Sequence, residues 1–226
     1  MIQSYETGQD LYSKMASEVY GVPYDECKEF WPDGSVNKEG KNRRKSVKSL
    51  LLGILYGRGT KSIATQLGTS ENEAQQLIDN FFKAFPKIKE LDRLTKLGAS
   101  QNGYVTTIFG SKRRLPDIKS KDRYVKARAE RQCLNAVIQG SSALVLKIAM
   151  INIYNNSRIK ETNSKILLTV HDELILECPT EYAKEVAEIM TSIMKDTGEK
   201  LVGIKMKCDE EFMFRWGEPI DIQEVL

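Results

Sequence analysis

The sequence predicts an α+β protein, with helices dominating the first half and antiparallel strands appearing chiefly in the second. Helical periodicity and helix-boundary residues recur from residue 9 to residue 97. Residues 103–116, with β-branched and aromatic side chains and a basic second arm, are typical of a hairpin. Two apolar runs at 166–170 and 174–176, separated by three polar residues, predict a second, buried hairpin. This order of elements is typical of the α+β class.

The individual helices are predicted from their boundary residues. Gly21 and Gly57 end the first two helices, because glycine readily adopts the conformation that terminates a helix. Ser70 and Glu73 form a capping-box pattern at the start of a third helix, and Pro86 opens a fourth. The predicted helices of the first half cover residues 9–20, 41–56, 70–84 and 86–97. Three later elements are expected: a helix over 122–155 interrupted at 139–142, a helix over 180–198 and a strand over 204–214.

The composition excludes several classes of protein. The 226 residues include 34 Lys and Arg against 31 Asp and Glu, and 41% are hydrophobic, which excludes collagen-like, mucin-like and wholly disordered chains. The apolar stretch at 50–56 is too short to cross a bilayer, and the first residues do not resemble an export signal. The four cysteines lie far apart without a Cys-x-x-Cys pair. We therefore expect reduced thiols, a cytoplasmic location and no membrane partner.

The net charge of +3 hides a strong asymmetry along the chain. Residues 172–226 contain 14 acidic and 6 basic side chains, a balance of −8, so residues 1–171 carry +11. The positive charge concentrates at 41–45 and at 111–131, where nine basic residues accompany three acidic ones. Such clusters bind polyphosphate or nucleic acid, although a charge run is by default only a solvated surface.

The helix predicted at 41–56 has two contrasting faces. Arg44, Lys48, Leu52 and Tyr56 recur every four residues, so two cations and an aromatic ring share one face. Small residues, Gly53 among them, lie where another element can approach closely. The opposite face is a core stripe of four apolar residues, Val47, Leu50, Leu51 and Ile54. The first face would suit a triphosphate with a base attached, while an amphipathic helix with solvated cations is the simpler interpretation of this helix alone.

The second hairpin carries His171-Asp172-Glu173 at its tip, including the only histidine. Carboxylates between two buried strands are costly to desolvate without a compensating cation. Mg²⁺ binds one or two carboxylates together with substrate phosphates, which suits phosphoryl or nucleotidyl transfer. Neighbouring strand residues point to opposite faces, so a two-metal site would need a further carboxylate. A solvent-exposed tight turn is the alternative.

A third pattern places Arg131, Asn135 and Gln139 at four-residue intervals along the long helix. Guanidinium and amide groups at this spacing can face a groove and bind sugars, phosphates or base edges. Arg113 and Arg114 on the first hairpin would suit a backbone phosphate. Each set alone is more typical of a solvated surface.

The order of these patterns resembles that of the family A DNA polymerases, the bacterial polymerase I type. Arg44-x-x-x-Lys48-x-x-x-Leu52-x-x-x-Tyr56-Gly57 resembles motif B of that family, and Val170-His171-Asp172-Glu173 resembles its motif C. Further segments resemble the family's landmarks before and between these motifs: residues 8–12, 82–86, 103–105, 110–117 and 130–140. The resemblance extends from residue 1 to about residue 216.

The resemblance implies a mostly helical fingers region over 1–120 and a palm portion over 121–226, with part of an antiparallel palm sheet that carries the catalytic hairpin. It implies DNA synthesis in which two Mg²⁺ ions assist attack of a primer 3′-oxygen on the α-phosphate of a deoxynucleoside triphosphate. The implied catalytic residues are Lys48, Asp172 and Glu173, with Asp172 as the metal ligand. The implied nucleotide-binding residues are Arg44, Lys48, Leu52, Tyr56 and His171. The implied DNA-binding residues are Tyr56, Gly57, Arg113, Arg114, Arg131, Asn135 and Gln139.

Two departures from the family's pattern bear on function. Leu52 stands where the family usually has Phe or Tyr, which affects contact with the nucleotide sugar. The family's motif A, the strand with the other metal-binding aspartate, is expected before Met1, and the thumb also falls outside this sequence. We therefore expect the C-terminal half of a split or truncated polymerase that binds primer-template DNA and needs a second polypeptide supplying motif A and the thumb. The alternative is a noncatalytic nucleic-acid-binding remnant or accessory protein.

Overall fold

Helices and short antiparallel hairpins make up the computed structural model, which describes residues 1–221 and confirms the α+β class. The chain divides into two units, Met1–Ser141 and the remainder from Ser142 onward. The helices of the first unit are α1 (Ile2–Glu6), α2 (Leu11–Tyr20), α3 (Lys38–Leu55), α4 (Thr60–Leu67), α5 (Glu71–Ala84) and α6 (Pro86–Asn102). The predicted fingers and palm boundary at residue 120 stays a prediction.

Local sequence signals set these helix ends. The Asp10 side chain accepts a hydrogen bond from the Ser13 N–H and caps α2, which ends at Gly21 in the left-handed conformation. Ser70 and Glu73 form the predicted capping box at the start of α5. Pro86 begins α6, where its missing N–H costs nothing. The boundaries of α2 and α5 fall close to those predicted, whereas α3 begins earlier and α6 ends later. The short helices α1 and α4 were not predicted.

The core of the helical part lies among α2, α3, α4 and α5. Met15, Val47, Leu50 and Phe81 are each at most 1% exposed and belong to one apolar cluster. Gly53 is part of this packing, because a Cβ built there would lie 3.2 Å from the Ile63 side chain. The close approach predicted along the small-residue strip of α3 is therefore made by α4.

A basic hairpin follows α6. Strands β1 (Tyr104–Thr106) and β2 (Lys112–Arg114) pair antiparallel, with Val105 opposite Arg113. Val105 is buried in a second cluster together with Cys133 of the long helix α7 (Arg123–Asn155). The predicted hairpin is thus confirmed, with strands of three residues each.

The interruption predicted in α7 at residues 139–142 is wrong, because the helix is continuous. A Cβ at Gly140 would come within 2.8 Å of the Thr107 methyl group, so glycine serves close packing there. The Ser141 hydroxyl donates to the Val137 carbonyl at 2.6 Å and accepts from the Ile108 N–H at 3.2 Å. This helix is also long and apolar enough to cross a membrane, a property it shares with core helices of soluble proteins.

The second unit combines the end of α7 with a hairpin and a long helix. Its further elements are α8 (Ser157–Glu161), β3 (Lys165–Val170), β4 (Glu173–Glu177), α9 (Ala183–Val202), β5 (Phe212–Arg215) and β6 (Glu218–Ile220). Ile153, Ile159, Leu174 and Val186 form its core. The strand predicted over 204–214 is wrong before Phe212. There, Met206 packs closely against Gly198 of α9, in place of a pairing with a neighbouring strand.

Candidate functional site

The predicted cationic face of α3 forms as expected. Arg44, Lys48, Leu52 and Tyr56 line up along one side, with Leu52 and Tyr56 36% and 46% exposed. The opposite side is the predicted core stripe, in which Val47, Leu50 and Leu51 are buried. Because the apolar side of α3 is buried in the core, its cationic side faces solvent, where a ligand can reach it.

Two carboxylates that were not predicted for this site bind Arg44. The Asp10 carboxylate accepts from Arg44 Nε at 2.8 Å and from Nη2 at 2.9 Å, which makes a bidentate pair. Glu29 accepts a single hydrogen bond from Nη1 at 3.1 Å. Burial opposes ionisation of Asp10, but hydrogen bonds from Arg44 and Ser13 outweigh it and lower the pKa of Asp10 to about 2. Arg44 is therefore held in place by a bidentate pair with Asp10 and a single hydrogen bond to Glu29.

The Tyr12 ring lies beneath both cations of α3. The Arg44 guanidinium is 5.4 Å from the ring centroid and Lys48 Nζ is 5.5 Å from it, which is cation–π distance. Lys48 makes no ion pair with any residue in the part of the chain that the structure describes. Its ammonium group is thus exposed and available to an anion.

The end of α3 contacts α7 directly. Gly57 adopts a left-handed conformation, φ +67°, and a Cβ there would lie 2.7–2.8 Å from Arg131 Cγ, Cα and Cβ. Only glycine fits both the conformation and the space. The structure therefore brings two sequence-predicted sites, Tyr56-Gly57 and Arg131, into one place.

The remaining predicted DNA-binding side chains of the first unit lie on α7 and β2. Arg131 and Gln139 are exposed and Asn135 is half-buried, while Leu134 on the other side of α7 is buried. Arg113 and Arg114 are both exposed on β2. All five can therefore be reached by a ligand without rearrangement of the core.

The tip of the second hairpin differs from its prediction. Val170 pairs with Glu173, so His171 and Asp172 form a two-residue turn and Glu173 begins β4. His171, Asp172 and Glu173 are all exposed, and the expectation of a buried hairpin with desolvated carboxylates is wrong. The reason is that β3 pairs only with β4 in the described chain, which leaves Leu167 and Leu168 55% and 37% exposed.

Backbone strain marks this turn. His171 has φ +55°, a left-handed conformation that a side chain with a Cβ rarely adopts. Two-residue hairpin turns commonly contain a left-handed residue, and histidine is one of the residue types that are enriched in that conformation. The turn places Asp172 at the tip of the hairpin.

The donor chemistry at this tip fits a magnesium ion incompletely. Asp172 and Glu173 offer carboxylate oxygens, the ligands that Mg²⁺ prefers, and neither makes an ion pair with residues 1–221. Within the same residues, no group of three or more His, Cys, Asp or Glu side chains is placed to hold a metal ion. A closed metal site would thus need ligands from beyond these residues, such as substrate phosphates and another carboxylate.

Sequence reasoning missed Asp10, Tyr12 and Glu29 as neighbours of Arg44. A signal existed for the first two, because Asp10 has the helix-capping residue type and both lie in the segment 8–12 that resembles a family landmark. Glu29 has no such signal, since it lies in an irregular segment that only the tertiary fold brings to Arg44.

Comparisons with known proteins agree with one another. The family model of DNA polymerase family A matches residues 1–218. DNA polymerase I of Borreliella burgdorferi is 34% identical over 218 residues, which are 96% of this chain and 22% of the relative. Thermostable DNA polymerase I of Thermus aquaticus is 31% identical over 195 residues, 86% of this chain and 22% of the relative. This chain thus spans about a fifth of the length of these relatives.

A solved structure is similar as well. It is the POL domain of Pol1 from M. smegmatis in complex with DNA primer-template and dNTP, with a TM-score of 0.74 and 35% sequence identity. The match covers 87% of this chain and 32% of that chain.

Proposed function

This chain belongs to DNA polymerase family A, and on that premise we propose that it takes part in template-directed DNA synthesis. Its substrates would be primer-template DNA and deoxynucleoside triphosphates, the molecules bound in the similar Pol1 structure. The relatives are bacterial polymerases, so we place the protein in the cytoplasm of a bacterium or of a virus-infected cell.

One observation carries this proposal: the exposed cationic and aromatic face of α3 meets the polar face of α7 where Gly57 contacts Arg131. A nucleotide on the α3 face would lie beside a strand on the α7 face. In this arrangement Arg44 and Lys48 bind the triphosphate, because guanidinium forks and an ammonium point charge suit phosphate oxygens. Leu52 contacts the sugar.

The remaining predicted contacts follow the same arrangement. Tyr56 and Gly57 lie beside the nascent base pair and the template base. The primer-template backbone and base edges are contacted by exposed basic and amide side chains: Arg113, Arg114, Arg131, Asn135 and Gln139. His171 contacts the primer terminus or the incoming nucleotide.

The reaction is a nucleotidyl transfer. The primer 3′-oxygen forms a bond to the α-phosphorus, the bond from that phosphorus to the pyrophosphate breaks, and the 3′-hydroxyl proton leaves to solvent. Lys48 neutralises charge that develops on the phosphates. Asp172 would hold Mg²⁺, with Glu173 as a supporting carboxylate, and the bound ions would supply activation of the 3′-oxygen and stabilisation of the leaving group.

We propose further that a second polypeptide supplies motif A and the thumb. The exposed Leu167 and Leu168 on β3, which another strand would cover, support this proposal.

Primer extension tests this function. The 226-residue chain is mixed with a polypeptide that carries the motif A strand and the thumb, and extension of a labelled primer is measured. Extension is expected only from the mixture, and Lys48→Ala should lower both apparent nucleotide affinity and rate. Lys38→Ala changes an exposed lysine at the start of the same helix, outside the basic cluster 41–45. It is the matched control and should leave extension unchanged. A mixture that binds DNA but never extends it would favour the noncatalytic remnant.

A further inference from the structure

The two carboxylates on Arg44 are bound unequally. Asp10 engages two nitrogen atoms of the guanidinium, whereas Glu29 engages one, at the longer distance of 3.1 Å. A guanidinium has five N–H donors, so these three bonds leave two without an acceptor among residues 1–221. An anion with several oxygens can therefore bind Arg44 while Asp10 stays in place.

Asp10 is itself fixed by the fold. Its carboxylate accepts from the Ser13 N–H at 2.7 Å as the cap of α2, and its own N–H donates to the Tyr24 hydroxyl at 3.0 Å. A bidentate pair with a fixed carboxylate sets both the position and the plane of the guanidinium. Tyr12, two residues along the chain, lies beneath the same group.

Glu29 lacks comparable anchoring at its carboxylate. Its single hydrogen bond links it to Arg44, whereas the Asp10 carboxylate also accepts from the Ser13 N–H. The two side chains are similarly exposed, 35% for Glu29 and 39% for Asp10. Exposed ion pairs of this kind contribute about 0–1 kcal/mol. A polyphosphate, which offers more charge and more oxygens, can take the N–H that Glu29 occupies.

We infer that these carboxylates have opposite effects on polyphosphate binding: Asp10 is a positioning residue that presents Arg44, and Glu29 is an internal anion that the polyphosphate displaces. The inference deepens the proposed function and rests on its assignment of Arg44 to the triphosphate.

Variants can separate the two effects. Asp10→Ser keeps a good helix cap but is too short for the pair with Arg44, and Asp10→Asn keeps both the cap and the size while removing the charge. Glu29→Gln removes the competing charge at nearly constant shape. The matched control is Glu26→Gln, an equal charge change at a carboxylate that pairs with Arg43 at 3.2 Å instead of Arg44.

The measurement is fluorescence titration of the 226-residue chain with a mant-labelled deoxyadenosine triphosphate in magnesium chloride, with inorganic tripolyphosphate as competitor. Both Asp10 variants should weaken binding by roughly tenfold, a loss of about 1.4 kcal/mol. Glu29→Gln should tighten binding by about threefold, within the range of an exposed ion pair. Glu26→Gln should have no effect, and tripolyphosphate affinities should change in the same order.

Arg44→Ala separates failure of this inference from failure of the proposed function. If Arg44→Ala leaves nucleotide binding unchanged, the triphosphate assignment fails and the inference fails with it. If Arg44→Ala weakens binding but changes at Asp10 and Glu29 have no effect or act in the same direction, only the inference is overturned. Effects seen with the labelled nucleotide and absent with tripolyphosphate would also overturn it.

Discussion

Asp10 links the stability of the first unit to pH, because its carboxylate caps α2 and pairs with Arg44. Its pKa is lowered from 3.8 to about 2, burial being outweighed by the hydrogen bonds from Arg44 and Ser13. A group with a depressed folded-state pKa contributes stability above its unfolded pKa and loses it as pH falls through the folded value. The contribution should therefore be complete at neutral pH and fade below about pH 4.

Urea denaturation at several pH values checks this prediction. Asp10→Asn should be less stable than the wild-type chain at neutral pH, and the difference should shrink as pH falls from about 4 to about 2. A difference that stays constant over that window would show that ionisation of Asp10 does not stabilise the fold.

The backbone conformation of His171 leads to a second prediction at the scale of single residues. Its left-handed conformation, φ +55°, should disfavour a β-branched side chain by about 1–2 kcal/mol and tolerate asparagine. We therefore expect His171→Val to lower the free energy of unfolding of the second unit and His171→Asn to leave it nearly unchanged. Equal stability of both variants in urea denaturation would contradict the assigned turn conformation.

At the scale of elements, the junction between α3 and α7 depends on glycine. Gly57→Ala should destabilise the first unit by on the order of 2–4 kcal/mol, because alanine is strained in the left-handed conformation and also clashes with Arg131. Gly59→Ala is the control, since a Cβ there meets nothing within 4 Å and its φ is ordinary. Thermal unfolding of both variants is the measurement, and equal melting temperatures would contradict this junction.

Sequence predicted the elements better than it predicted their surroundings. Local pattern was sufficient to predict features that depend on neighbours within a few residues. These features are the helix cap at Ser70, the helix start at Pro86 and the two faces of α3. The continuity of α7 through Gly140 was missed, because this glycine serves close packing against Thr107 of a separate hairpin and not a break in the helix. The exposure of the second hairpin was missed for the same reason, since its burial depends on which strands pair with it.

The same division applies to the candidate site. Arg44, Lys48 and Tyr56 were predicted from their spacing on one helix, whereas Glu29 reaches Arg44 only through an irregular segment. Pattern analysis identifies side chains that share an element. It does not identify partners that only the tertiary fold brings together.

At the scale of the whole molecule, charge asymmetry predicts salt-dependent DNA binding. The balance of +11 over residues 1–171 should make affinity for duplex DNA fall as salt rises. Replacing Arg113 and Arg114 by glutamine should reduce the slope of log K against log salt by about 0.9 for each phosphate that is no longer neutralised.

The control replaces Lys184 and Lys195, in the acidic part of the chain. It removes the same charge and should change the slope little. Fluorescence anisotropy measures both, and binding that ignores salt would contradict a basic DNA interface.

We propose that Asp172, at the tip of the second hairpin, serves nucleotide transfer. The most direct test is single-turnover incorporation of one nucleotide by the complex of this chain with a polypeptide supplying motif A and the thumb. In Asp172→Asn the incorporation rate should fall by on the order of a hundredfold or more, since charge stabilisation at the reacting phosphate is removed, while primer-template affinity stays near that of the wild type. Incorporation at the wild-type rate by Asp172→Asn would contradict the claim.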